Sequence, residues 1–144
     1  MYFSASYWIY MLPGILLVMF TSWYVKSAYR KWSKVPARSR ISGHEAAQRL
    51  ITRAGLYGVQ IEGIRGEMSD HYDPRSKTLR LSQGVAQGSS VAALAIAAHE
   101  LGHAMQDAED YFPLTVRAAM VPMVNVGSTL GWILIMAGLF FNWL

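Results

Sequence analysis

The chain has 144 residues, length for one modest domain, and at 53% hydrophobic, 15% charged and a mean hydropathy of +0.20 it is too apolar for an ordinary soluble protein or a disordered one. It has no cysteine, which excludes a disulfide framework, a thiolate metal site and thiol catalysis and fits a reducing compartment. Its 13 Lys and Arg against 9 Asp and Glu give a net charge of +4, which would point to nucleic acid if the cations were spread over a folded surface.

They are not spread in that way. Residues 7–25, YWIYMLPGILLVMFTSWYV, form a run of 19 without a charge, and at 1.5 Å rise per residue this roughly spans a ~30 Å hydrocarbon core. Trp8, Tyr10, Trp23 and Tyr24 lie near its two ends, where amphipathic rings settle among headgroups. No charge precedes the run and bulky Trp23, Tyr24 and Val25 close it, so a retained anchor over residues 1–25 is expected rather than a cleaved signal peptide. Directly after it come Lys26, Arg30, Lys31, Lys34, Arg38 and Arg40, with no acid among them. By the positive-inside rule this flank faces the cytoplasm, and its cations suit anionic lipid. No base-stacking aromatics are interleaved in the manner of a nucleic-acid groove, so no nucleic-acid partner is expected.

Ser42 with Glu45 makes a capping box before Ala46, Ala47, Leu50, Ile51 and Ala54, and Gly55 supplies a stop; this predicts a helix over residues 43–54. Val59 and Ile61 between glycines predict a short strand near 58–62. In HYDPRSKTLRLS, strand-like residues flank Asp73-Pro74-Arg75-Ser76, which predicts a hairpin. Ser89 or Ser90 caps a helix over about 90–107, whose interior VAALAIAAHELGHAM is so apolar that burial all round is expected. Residues 123–144, MVNVGSTLGWILIMAGLFFNWL, are again uncharged and long enough to span, with Asn142 and Trp143 expected at the far interface. Gly127 and Gly131 form a short GxxxG, read either as a weak packing face or as helix flexibility. Arg117 is the nearest charge before this span, so both spans present a charged flank to one compartment, and residues 26–122 are expected there as an α+β domain.

The chemistry lies in His99-Glu100-Leu101-Gly102-His103, an HExxH on the apolar helix. Residues four apart sit one turn above each other, so His99 and His103 can hold one Zn²⁺. Glu100 lies about 100° around the helix, beside the metal, where it can act as general base on a zinc-activated water and then return the proton to the leaving amine. Burial of Glu and two His among Ala, Ile and Leu would cost several kcal/mol, roughly, unless a cation compensates, which favours a metal over a structural polar cluster. For a third ligand, Asp107 continues the ladder but lies about 12 Å along the axis from His99. Glu109 has the offset of the third histidine in HExxHxxGxxH proteins, yet Gln106 replaces the glycine of that pattern. A ligand outside residues 1–144 is the stronger expectation.

The remaining candidates have plainer readings. His71 and Asp73 could border a strand edge that takes substrate, but hairpin packing and an Asx turn are favoured. His44 is expected in solvent, the 8 methionines are membrane filler rather than a copper site, and Arg75, Lys77 and Arg80 could touch headgroups or acidic substrate, though a solvated strand face explains them as well.

The first membrane run, the basic stretch, DHYDPRSKTLRLS, SSVAALAIAAHELGHAMQD and the second hydrophobic run together resemble the YugP-type family of membrane zinc metallopeptidases over essentially the whole chain. The resemblance implies a zincin-like core flanked by two transmembrane helices. It also implies a Zn²⁺ cofactor on His99 and His103, Glu100 as the catalytic residue, a peptide or protein substrate, and a place in the bacterial cell membrane with the catalytic domain facing the cytoplasm. In that family the chain continues past the second helix to an acidic segment expected to give the remaining ligand, whereas this sequence ends at Leu144 and so reads as truncated. Self-association or a missing C-terminal segment would then complete the site. Two alternatives stand beside the peptidase: an intramembrane protease, disfavoured because the apolar run around HExxH has 15 residues between polar ends, and a catalytically silent zinc-binding membrane scaffold.

Overall fold

The computed structural model describes residues 5–141. Asn142 and Trp143, expected at an interface, lie outside the described residues. The first helix, α1 (Ala5–Trp32), takes in the uncharged run and continues through Lys26, Arg30 and Lys31. Charge marks the edge of an apolar span but does not end a helix, since Lys, Arg and Ala are good helix formers. Every residue from 8 to 27 is exposed, so this apolar surface is not the packed side of a soluble core.

The unit that follows is mixed α and β. Helix α2 (Gly43–Ala54) has the predicted bounds. The Ser42 hydroxyl accepts from the Glu45 N–H at 3.1 Å, and Gly55, at φ +69°, turns its N–H back onto the Ile51 and Thr52 carbonyls. Glu45 pairs with Arg49 at 2.6 Å, an exposed contact on the helix surface. The predicted strand near 58–62 is found two residues later as β1 (Gln60–Ile64), because Val59 still belongs to a turn that bonds its N–H to the Leu56 carbonyl. The predicted hairpin is β2 (His71–Asp73) and β3 (Thr78–Ser82). Its turn is fixed by Asp73, which accepts from the Arg75 N–H at 3.0 Å and the Ser76 hydroxyl at 2.8 Å, the favoured Asx-turn reading.

The sheet has the order β1-β3-β2, with β1 parallel and β2 antiparallel to β3. Thr78, Leu79, Leu81 and Ser82 of the central strand are buried, and β2 is left as an edge. A single turn, α3 (Gln83–Ala86), follows β3; four residues are too few to show a helical period in sequence.

Helix α4 (Val91–Ala108) opens with the Ser90 hydroxyl accepting from the Ala93 N–H at 3.2 Å. Its Ala97, Leu101 and Ala104 join Ala47, Ile51, Tyr72, Leu79, Leu81 and Val85 in the core. Close approach of α2 depends on Gly43, where a Cβ would collide with the Val85 carbonyl and sit 3.3 Å from that of Ala93. The expectation that α4 is buried all round is corrected: Val91, His99 and Met105 are exposed. One layer, made by α2 and the sheet, packs beneath this helix, and no described residues cover its outer face.

Helix α5 (Phe112–Phe140) begins well before residue 123, with Pro113 in its first turn and Pro122 inside it. Among its described residues one, Gly138, is buried. Both α1, over Trp8–Trp32, and α5 are long and apolar enough to cross a membrane. A Cβ at Gly127 or Gly131 would meet nothing within 4 Å. Backbone bonds from Ala37 to Ser89 at 2.9 Å and from Val91 to Val35 at 2.8 Å fasten the end of α1 to the start of α4.

Candidate active site

Helix α4 sorts its residues by angle. At 100° per residue, His99, Glu100, His103, Gln106 and Asp107 fall within an arc of roughly 120°, flanking the buried Ala97, Leu101 and Ala104, with Glu100 at the edge nearest the core. The apolar side anchors the helix to the core and the polar side faces β2 and α5.

His99 and His103 lie edge to face with ring centroids 4.9 Å apart. His103 Nδ1 is 3.0 Å from the Gln106 side-chain oxygen, so this nitrogen donates and Nε2 is left as a free electron-pair donor. Glu100 Oε2 accepts from the backbone N–H of Tyr72 at 3.2 Å. That N–H comes from the sheet's edge strand, which joins Glu100 to the hairpin across 28 residues of sequence.

Tyr72 grips α4 a second time. Its hydroxyl donates to Asp107 Oδ2 at 2.8 Å, and Lys77 Nζ reaches the same oxygen at 3.2 Å. Burial, reinforced by the Asp107 carboxylate, pushes the Tyr72 phenol up from its ordinary value and keeps it a donor. In the turn, the Arg80 guanidinium, with Ser76 and the Arg75 N–H, holds the Asp73 carboxyl down at about 2.

Glu100 and His103 open onto a cleft of about 450 Å³, walled by Tyr72 and Pro74 of the hairpin and by Leu114, Arg117 and Val121 of α5. His71 and Asp70 line it as well; His71 Nδ1 contacts the Ser69 carbonyl at 2.8 Å, and Asp70 accepts from the Ser82 N–H and hydroxyl. The structure therefore brings His103 and Glu100 together with the hairpin. His99 stands one turn away, exposed and beside His103. The argument that a metal must offset buried charge loses its basis at His99, while the spacing argument keeps its own.

The two imidazoles fit zinc as nitrogen donors on adjacent turns. Among the described residues no group of three or more His, Asp or Glu side chains converges as a metal site. Glu109 is exposed at the C-cap of α4, and Asp107 is engaged by Tyr72 and Lys77. His44 is half-buried on α2 rather than in solvent, and it does not line the cleft. Sequence reasoning missed Tyr72, Gln106 as a partner of His103, and Arg117 as cleft wall. The available signal was that Arg117 is the one charge in the sequence of α5.

The family model described as "putative neutral zinc metallopeptidase" matches residues 7–144. The chain belongs to this family. It is 43% identical over 115 residues to a protein of Bacillus subtilis (strain 168) named "Putative membrane protease YugP", an alignment covering 80% of this chain and 51% of that protein. The chain thus spans about half the length of the curated relative it matches. No solved structure matches it.

Proposed function

We propose that the chain is a membrane-anchored zinc metallopeptidase with a zincin-like core over residues 26–122, in which His99 and His103 hold the metal and Glu100 is the general base. The observation that carries this reading is the position of Glu100. It lies on one helix face with two imidazoles, opens onto a cleft that could admit a polypeptide, and is held by a backbone donor from an edge strand. Bound zinc would supply Lewis acidity at the scissile carbonyl and lower the pKa of water to roughly 7.

The chain's own groups do the rest. Tyr72 N–H holds Glu100 Oε2 and leaves Oε1 to take a proton from the attacking water. As the water oxygen bonds to the carbonyl carbon and the C–N bond breaks, Glu100 passes that proton to the departing amine nitrogen. Gln106 accepts from His103 Nδ1 and leaves Nε2 as the nitrogen that would hold the metal. In this reading a third donor joins the two imidazoles from outside the described residues.

Replacement of Glu100 by Gln tests the assignment. Zinc stoichiometry is expected to stay as in the wild type while peptide hydrolysis falls by about 10²–10⁴-fold; unchanged turnover would remove Glu100 as base. A second reading is a zinc-binding membrane scaffold without turnover. Bound zinc with no hydrolysis by the wild-type chain would select it.

A further inference from the structure

The cleft holds two carboxylates and two guanidiniums, and they are treated differently. Asp70 is tied to the Ser82 N–H at 2.6 Å and to the Ser82 hydroxyl at 3.1 Å, and Glu100 is tied to the Tyr72 N–H. Arg75 and Arg117 also line the cleft, one from the hairpin turn and one from α5. Both are exposed, and among the described residues neither guanidinium has a hydrogen bond or ion pair. Some other cations of the same unit are paired, Arg80 with Asp73 and Glu62, Lys77 with Asp107 and Arg49 with Glu45, whereas Arg53 and Arg65 are unpaired among the described residues but do not line the cleft.

Arg117 is the more telling of the two. It is the single charge in the 29-residue α5 and sits near the start of that helix, on the side of the α/β unit, where it lines the cleft with no ion pair among the described residues. Its neighbours along α5 in the cleft wall are apolar, Leu114, Ala118 and Val121, while Asp70, Glu100 and His103 line the same cleft from the other elements. A planar guanidinium in such surroundings suits a carboxylate, which it can hold through two parallel hydrogen bonds.

We propose that Arg75 and Arg117 bind a carboxylate of the polypeptide substrate, so that the cleft selects peptides carrying an acidic group near the scissile bond. The proposal rests on the peptidase reading above and names its substrate class. The carboxylate can come from an Asp or Glu side chain or from a peptide C-terminus, and both present the same two oxygens.

The test uses the full chain in neutral detergent with zinc, carrying Glu100→Gln so that ligand is not consumed. Four fluorescent peptides of one apolar sequence are compared by anisotropy: internal Glu with a C-terminal amide, internal Gln with an amide, and each of these with a free C-terminal acid. The acid-bearing peptides are expected to bind about tenfold tighter than the doubly neutral one, the scale of one charge-assisted pair. Which acid gives the gain identifies the source. Arg117→Gln and Arg75→Gln should each remove most of that gain and leave the neutral peptide's affinity unchanged.

Equal affinity for all four peptides overturns the proposal, as does an equal loss for acidic and neutral peptides in the arginine variants. If Arg117→Gln instead weakens association with phosphatidylglycerol vesicles relative to phosphatidylcholine and leaves the peptide preference intact, Arg117 is a headgroup contact and the proposal falls. Failure of the parent reading is separate. Wild-type chain that shows the acid preference in binding but hydrolyses none of the peptides overturns the peptidase and sustains the carboxylate site; wild-type chain that cleaves neutral and acidic peptides alike does the reverse.

Discussion

Gln106 occupies the place where longer HExxH signatures carry a glycine, and its side-chain oxygen lies 3.0 Å from His103 Nδ1. Without a partner there, the imidazole can place its proton on either nitrogen and turn about its own axis, and both reduce the fraction of time Nε2 is presented to a cation. Gln106→Ala is therefore expected to weaken zinc binding by about 10–100-fold, the usual consequence of losing such a support, with helical content unchanged. Competition against a chromogenic chelator measures this directly, and Gln106→Glu, which restores an acceptor, should recover most of the affinity. A zinc affinity within about twofold of wild type for the alanine variant would show that His103 is oriented by something else. This relation was hidden in sequence for a specific reason. Residues 103 and 106 are three apart and so adjacent on a helix, but the reading weighed Gln106 against a glycine that bends the chain and not against the ring it touches.

The hairpin and α4 are joined through one residue at two points. Tyr72 gives its backbone N–H to Glu100 and its hydroxyl to Asp107, seven positions further along the helix and close to two turns away. A strand that grips a helix at both points cannot slide or tilt against it, so the edge of the sheet and the carboxylate keep a fixed separation. Tyr72→Phe keeps the ring, which is 9% exposed, and removes the lower grip. It should cost about 1 kcal/mol of stability, seen as a lower Tm in detergent, and should speed hydrogen exchange at the amide of residue 72, since its bond to Glu100 then loses the support of the second contact. A variant that melts with the wild type and exchanges no faster would reduce the contact to surface decoration. The elements themselves were largely legible. Helix α2 was bounded by its cap and its glycine, the hairpin by Asp73-Pro74, and α4 by Ser90. What was not legible was the mutual placement of hairpin and helix, because Tyr72 and Asp107 are 35 residues apart and no local period connects them. The ends of α1 and α5 were missed for another reason: hydropathy reports where a helix could sit in lipid, while the helices themselves continue through charged residues, α1 through Lys26, Arg30 and Lys31 and α5 through Arg117.

At the scale of the whole molecule, the α/β unit is inserted between Trp32 at the end of α1 and Phe112 at the start of α5, so both long helices meet it at their charged ends. If α1 and α5 each cross the bilayer, the unit lies on one side of it, and the side is set by Lys26, Arg30, Lys31, Lys34, Arg38 and Arg40, which carry no acid among them. The backbone bonds between the 35–37 and 89–91 segments then hold α4, and with it Glu100, at a fixed distance from the membrane surface rather than at the end of a flexible tether. The absence of cysteine makes the orientation measurable. Gly58 is exposed and a side chain there would meet nothing within 4 Å, so Gly58→Cys adds a single thiol without disturbing the fold. A membrane-impermeant maleimide is expected to leave this thiol unmodified in intact bacterial cells and to label it after permeabilisation, as an inward-facing unit requires. Labelling in intact cells would place the α/β unit outside, and the basic stretch would then need another explanation, such as binding to an acidic partner on that face.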